Sequence, residues 1–65
     1  MKINDVMERY INATDFSRAT GIPRRAWYRW IDYGYVPIKA QFKLQKITDG
    51  ELKASIDDIP EDRRG

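Results

Sequence analysis

The fold of this chain is decided by the stretch Gly21-Ile22-Pro23-Arg24-Arg25-Ala26-Trp27-Tyr28-Arg29-Trp30-Ile31-Asp32, which places a basic helix directly after a glycine that can end the preceding one. At helical spacing, one side of this helix holds Trp27, Trp30 and Ile31, and the other holds Arg24, Arg25, Tyr28, Arg29 and Asp32. The apolar side can pack in a core. Guanidiniums bind phosphate oxygens and donate paired hydrogen bonds to guanine edges, so the polar side predicts a helix that reads DNA.

Size and composition argue against an enzyme. A chain of 65 residues buries only about 60% of its unfolded surface, which leaves little room for a deep pocket. The chain has no cysteine and no histidine, which excludes disulfides, thiolate nucleophiles, Cys/His zinc sites and imidazole bases. No stretch approaches the roughly 18 apolar residues of a membrane span. We therefore expect a cytoplasmic protein that is not an enzyme, needs no cofactor or small-molecule substrate, and does not enter the membrane.

The charge is unevenly distributed along the chain, although the net charge is only +2. Residues 1–46 carry nine lysines and arginines against four acids, whereas residues 47–65 carry three against six. The basic part is the candidate surface for a polyanion, and phosphate would repel the acidic part. We expect the acidic end to lie away from DNA, to pack on a partner or to stay mobile.

Apolar periodicity predicts two helices before the deciding stretch. The first covers about residues 4–11 and would bury Ile3, Val6, Met7, Tyr10 and Ile11. The second begins after Asn12, which can cap it with Asp15 in its first turn, and ends at Gly21. It would face the core with Phe16, Ala19 and Ala13.

Two further helices are expected after the turn at Gly21. Pro23 can start the third, which would end near Gly34. Pro37 opens the fourth, which would reach about Ile47 with Ala40, Leu44 and Ile47 on its inner face. The sequence thus predicts an all-α fold of four to five short helices with a central helix-turn-helix.

The part after Gly50 is ambiguous in the sequence. Residues 51–59 alternate like a strand at Leu52, Ala54 and Ile56, but Ser55 followed by acids also fits a capped helical turn, which we favour. From Pro60 onward the chain is polar, and we expect it to fray. We therefore expect one DNA-binding domain over residues 1–59 and a flexible tail over residues 60–65.

Several segments in ungapped order carry a resemblance to a known family: Asp5-Val6-Met7-Glu8-Arg9-Tyr10, Ser17-Arg18-Ala19-Thr20-Gly21-Ile22, Ala26-Trp27-Tyr28-Arg29-Trp30, Val36-Pro37 and Ile47-Thr48-Asp49-Gly50. The spacing of Gly21, Ile22, Trp27 and Trp30 is its most specific part. The chain resembles the helix-turn-helix of phage repressors, specifically the Cro proteins of lambdoid phages in their all-helical branch, with the YdaS-type prophage regulators close behind.

The resemblance implies a lambda-repressor-like DNA-binding domain that acts as a phage or prophage repressor in the cytoplasm of a bacterial host. Family base-reading positions at the start and outer face of the second motif helix correspond here to Pro23, Arg24, Arg25, Tyr28 and Arg29. The resemblance also implies a weak homodimer on a roughly two-fold-symmetric operator of double-stranded DNA, with each recognition helix in one major groove.

Other residues have secondary roles in this hypothesis. Arg18 and Lys39 are candidates for phosphate contacts from the second and fourth helices, as are Lys43 and Lys46. Asp32 could accept a hydrogen bond from a cytosine amino group or pair with Arg29, and we favour the intrahelical pair. Phe42 lies off the inner face of the fourth helix, so we place it in a self-association patch with Leu52 and Ile56.

Two other functions remain open from the sequence. The segment Trp27 to Ile31, with Gly34 and Pro37, also resembles excisionase-type winged helices, which bend DNA, and Asp49-Gly50 would then turn a two-stranded wing. That turn reads Thr-Asp-Gly-Glu without a cation, which disfavours a wing lying along phosphate. The alternative from a different class is an antitoxin-type or antirepressor-type module whose acidic tail engages a basic protein.

Overall fold

The computed structural model describes residues 1–64 and contains four α-helices: α1 Ile3–Arg9, α2 Ala13–Thr20, α3 Arg24–Tyr33 and α4 Ile38–Ile47. Two short 3₁₀ turns follow, at Ile56–Asp58 and Glu61–Arg63. Over this described part of the chain there is no β-strand. The all-α class expected from the sequence is therefore confirmed. No helix in residues 1–64 has the length and apolar character that a membrane span requires.

Helix α2 begins and ends where its capping residues predict. The Asn12 side-chain oxygen accepts a hydrogen bond from the Asp15 backbone N–H at 2.9 Å, which satisfies one of the free donors of the first turn. Gly21 ends the helix in the left-handed conformation, with φ of 76°, and its N–H donates to the Ser17 carbonyl at 2.8 Å. Because glycine adopts this conformation without steric cost, the chain can reverse direction before Pro23.

The core is built around the ring of Phe16, which is fully buried. Its centroid lies 5.4 Å from that of Tyr10, 5.2 Å from that of Trp27 and 5.4 Å from that of Trp30. Edge-to-face and tilted packing at these distances adds attraction to the area that the rings bury. Other members of the same cluster are Met1, Val6, Ala13, Ile22, Val36, Leu44 and Leu52. The expected burial of both tryptophans is confirmed.

The inner faces of α1 and α2 differ in part from the expectation. Helix α1 ends at Arg9, and Tyr10 already has an extended backbone with φ of −117°. The apolar periodicity runs past this break, so Ile11 projects outward and is 88% exposed, and Met7 is also exposed. In α2, Ala13 is buried but Ala19 is exposed. The predictions that Met7, Ile11 and Ala19 face the core were therefore wrong.

Helix α4 buries a polar residue in place of one of its expected apolar residues. Leu44 is fully buried, whereas Ile47 is exposed and Gln41 is completely buried. The Gln41 side-chain N–H donates to the Val36 carbonyl at 2.9 Å, and its Oε1 accepts from the Ser55 N–H at 2.8 Å and from the Met1 ammonium at 2.9 Å. A carboxamide with these partners can be buried without an unmet hydrogen bond.

The helical turn favoured after Ser55 is present as a 3₁₀ turn at Ile56–Asp58, but Ser55 makes no side-chain cap hydrogen bond, and the rest of residues 51–59 forms neither helix nor strand. The segment is held to α4, because side chains of that helix and of its C-cap residue Thr48 accept backbone N–H groups of the segment. Leu52 N–H donates to Thr48 Oγ1 at 3.0 Å, and Ala54 N–H donates to Gln45 Oε1 at 2.8 Å. These contacts replace the backbone partners that a helix or a strand would supply. The Met1 ammonium also holds this segment, through the Lys53 carbonyl and Asp58 Oδ2 at 3.2 Å.

Candidate nucleic-acid interface

Helix α3 is fixed to the rest of the fold by its two indoles. Trp27 is 6% exposed and Trp30 is 4% exposed, and both contact the ring of Phe16 on α2. The turn before α3 is held by Thr20, whose hydroxyl donates to the Phe16 carbonyl at 2.7 Å and accepts from the Ile22 N–H at 3.1 Å. These contacts set the direction in which the other side of α3 points.

The side of α3 opposite the indoles is open to solvent. Arg24, Arg25, Tyr28 and Arg29 are all exposed there, and we call these four residues the arginine face. The structure thus brings together the helix residues that the sequence analysis selected. Ile31 was expected on the buried side but is 42% exposed. It lies on the flank of Trp27 opposite to half-buried Ala26 and buried Trp30, so the core does not cover it.

The arginine face carries no compensating negative charge. Within residues 1–64, none of its three guanidiniums lies within ion-pair distance of a carboxylate. The expected pair between Arg29 and Asp32 is not formed, so that prediction was wrong. The sequence order of the two residues disfavours this pair, because an ion pair along a helix is more stable when the acid precedes the cation, and here Asp32 follows Arg29. Asp32 is exposed as well.

The first turn of α3 opposes the helix dipole. Helices α1 and α2 each have an acid in the first turn, Asp5 and Asp15, whereas α3 has none. It has Arg24 and Arg25 instead, and Pro23 at its N-cap provides no side-chain hydrogen bond. A cation at this end costs about 0.3–1 kcal/mol, where an acid would stabilise the helix by a similar amount. Like charges four residues apart, as at Arg25 and Arg29, add about 0.2–0.5 kcal/mol.

Three cations elsewhere in the described part of the chain form ion pairs. Arg9 Nη2 lies 2.6 Å from Glu51 Oε2, and this hydrogen-bonded contact, helped by Tyr10, raises the pKa of Arg9 above its ordinary value. The Met1 ammonium pairs with Asp58, and Arg63 lies 3.8 Å from Asp62. The acids of the C-terminal part therefore neutralise cations away from α3. Other exposed cations of that part, such as Arg18 and Lys39, also lack an ion pair, and what distinguishes the arginine face is that three guanidiniums share one side of one helix.

The remaining candidate residues lie on neighbouring elements. Pro23 is exposed at the N-cap of α3, Arg18 is exposed in the last turn of α2, and Lys39 is exposed in the first turn of α4. Helix α4 resembles α3 in having no acid in its first turn. Both helix starts thus have positive side chains beside the positive end of the helix dipole.

Only two of the three residues expected in a self-association patch are on the surface. Phe42 is 59% exposed and Ile56 is 42% exposed, but Leu52 is 8% exposed and belongs to the core. Thr48 accepts the Leu52 N–H, which holds this part of the chain against α4 and turns the leucine inward. Leu52 is therefore not available to a partner while the domain is folded.

Comparisons of the chain with models of protein families, with curated proteins and with solved structures found no match.

Proposed function

We propose that this chain is a sequence-specific, double-stranded DNA-binding transcriptional regulator, a Cro-like repressor of a phage or prophage. In this proposal, α2 and α3 form a helix-turn-helix, and α3 is the recognition helix that enters the major groove. The observation that carries the proposal is the arginine face, which has three exposed, unpaired guanidiniums on a helix anchored by two buried indoles.

The stability that the clustered arginines cost distinguishes a DNA-binding face from an ordinary solvated face. Surface positions of a helix tolerate acids and cations alike, and acids stabilise the first turn. Placing Arg24, Arg25 and Arg29 together makes the isolated domain less stable than a mixed surface would. Phosphate supplies a compensating gain, because each neutralised phosphate releases condensed counterions.

The proposed contacts divide between positioning and base reading. Arg25 and Arg29 would donate to base edges, while Arg24 and the Tyr28 hydroxyl would reach bases or flanking phosphates. Arg18 and Lys39 would add phosphate contacts from α2 and α4. Two copies, associating weakly through a patch that includes Phe42 and Ile56, would occupy a two-fold-symmetric operator in the host cytoplasm and block transcription there.

The excisionase-type alternative has less support. A wing needs two paired strands after the fourth helix, but in the part of the chain that the structure describes, residues 49 and 50 lead into a segment bonded to side chains of α4. The turn expected at Asp49 and Gly50 is present, with both residues at positive φ, but it does not join two strands. The interaction-module alternative is an outcome of the experiment below.

The test is a titration of the chain against a duplex selected from a random library and against a mixed DNA pool, at several salt concentrations. We expect tight binding to the selected duplex, weaker binding to the pool, and a steep loss with salt. Arg25→Ala should lose about 1–3 kcal/mol on the selected duplex and less on the pool. Arg63→Ala removes the same charge outside α3 and is the matched control. Weak binding without site preference would instead favour the interaction module.

A further inference from the structure

We infer that α3 selects an operator half-site by its guanines, and that Arg25 and Arg29 read two guanines about two base-pair steps apart on one strand. This inference rests on the proposed function and deepens it, because it names the bases that the site would recognise.

The chemistry of the exposed side chains supports guanine over the other bases. In the major groove, guanine presents two acceptors, whereas adenine presents one acceptor and one donor and is read in paired fashion by a carboxamide. Residues 13–33 contain no asparagine and no glutamine. Outside this stretch, Asn12 caps α2, and Gln41 and Gln45 bind the chain after α4. Helices α2 and α3 therefore offer no carboxamide to adenine.

Helix α3 is also poorly suited to recognise cytosine. Its amino group is read by an acid, and Asp32 is the single acid between residues 16 and 33. Asp32 lies in the last turn of α3, which ends at Tyr33, whereas a recognition helix contacts base edges mainly with its N-terminal residues. Arg24, Arg25 and Tyr28 lie in the N-terminal half of α3 and Arg29 follows directly, and guanidiniums are the only groups of this arginine face with two donors in a fork.

The positions of the arginines give the spacing of the guanines. Arg25 and Arg29 are four residues apart, which is about 40° around the helix and about 6 Å along its axis. They therefore point to the same flank of α3. Base pairs are stacked at about 3.4 Å, so 6 Å corresponds to about two steps. Arg24 is rotated by about 100° from Arg25, which directs it to the other flank, toward the opposite strand or its phosphates.

The first measurement is selection of bound duplexes from a randomised library by the full chain. We expect each half-site of the consensus to hold two guanines on one strand within three or four consecutive positions. Replacing either one should weaken binding by about 5- to 150-fold. Arg29→Gln should move the preference at one of the two positions from guanine toward adenine, because glutamine pairs with the adenine donor and acceptor.

Two base analogues then locate the contact. Inosine keeps both major-groove acceptors of guanine and lacks only its minor-groove amino group, so inosine at the two positions should leave affinity within about twofold. 7-Deazaguanine lacks the N7 acceptor and should weaken binding by about fivefold or more at each position. With Arg29→Ala, the effect of 7-deazaguanine should disappear at one position and persist at the other.

The outcomes separate the inference from the function it rests on. A selective, salt-dependent consensus without paired guanines, or a consensus that tolerates 7-deazaguanine, would overturn the guanine reading and leave the DNA-binding regulator standing. Failure to select any duplex would overturn the proposed function, and the guanine reading with it. Circular dichroism of each variant checks that it is folded, which is expected because the substituted residues are exposed.

Discussion

Gln41→Leu should destabilise the domain far more than a single hydrogen bond would suggest. The Gln41 carboxamide is completely buried and joins three parts of the chain: the Val36 carbonyl, the Ser55 N–H and the Met1 ammonium. Leucine has a similar volume but leaves each of these groups one partner short. A buried polar group without its partner costs about 1–3 kcal/mol.

The net cost should be smaller than the sum of three such penalties. The Met1 ammonium keeps Asp58 and the Lys53 carbonyl, the Ser55 N–H is only partly buried, and leucine gains from burial in the core. We expect a loss of about 2–4 kcal/mol. Since a domain of this size has a total stability of roughly 3–10 kcal/mol, the midpoint of thermal unfolding should fall by about 8–30 °C.

The assay is urea and thermal unfolding followed by tryptophan emission, since both indoles are buried in the native fold. Gln45→Leu is the matched control, because the Gln45 side chain accepts one hydrogen bond, from Ala54, and is half-buried. It should cost about 0.5–1.5 kcal/mol. Equal losses for the two variants, or no loss for Gln41→Leu, would refute the claim that Gln41 joins the two ends of the chain to α4.

Three further substitutions test other features of the fold and the arginine face. Gly21→Ala should lower the free energy of unfolding in urea by about 1–2 kcal/mol. The loss would come from backbone strain at positive φ alone, because an added Cβ meets no atom within 4 Å. Gly21→Asn should lose less. Arg24→Glu should raise the free energy of unfolding by about 0.5–1.5 kcal/mol and weaken DNA binding at low salt at least about tenfold; unchanged affinity would exclude Arg24 from the interface. Phe42→Ala should change stability by less than about 0.5 kcal/mol but shift sedimentation toward the monomer, and unaltered self-association would remove Phe42 from the proposed patch.

Local signals in the sequence predicted most of the helix boundaries. Asn12, Gly21 and Gly34 each act within one turn of the chain, and the structure places caps at all three. The two tryptophans were predictable for the same reason, since their spacing and size leave one way to bury both on α3. The arginine face follows from that burial, because the rest of the helix must then point outward.

Long-range contacts account for what the sequence did not predict. The burial of Gln41 has no local signal in the sequence, because its partners Met1 and Ser55 are distant along the chain. The segment after Gly50 carries signals for both a strand and a helical turn, and the side chains of Gln45 and Thr48 fix its backbone instead. Such a segment cannot be assigned from local propensity, since its hydrogen-bond partners belong to another element.

Under the proposed function, stability and DNA binding make opposite demands on the first turn of α3, and this opposition separates a DNA-binding face from an ordinary solvated face. At a solvated face, exchanging Arg24 for an acid would improve the helix and change nothing else. At a DNA-binding face, the same exchange improves the helix and places a negative charge against phosphate. The acids at Asp5 and Asp15 show that this chain does place stabilising charges at helix starts. Helices α3 and α4 have no such acid in the first turn, and under the proposed function Arg24→Glu should raise stability while it lowers affinity.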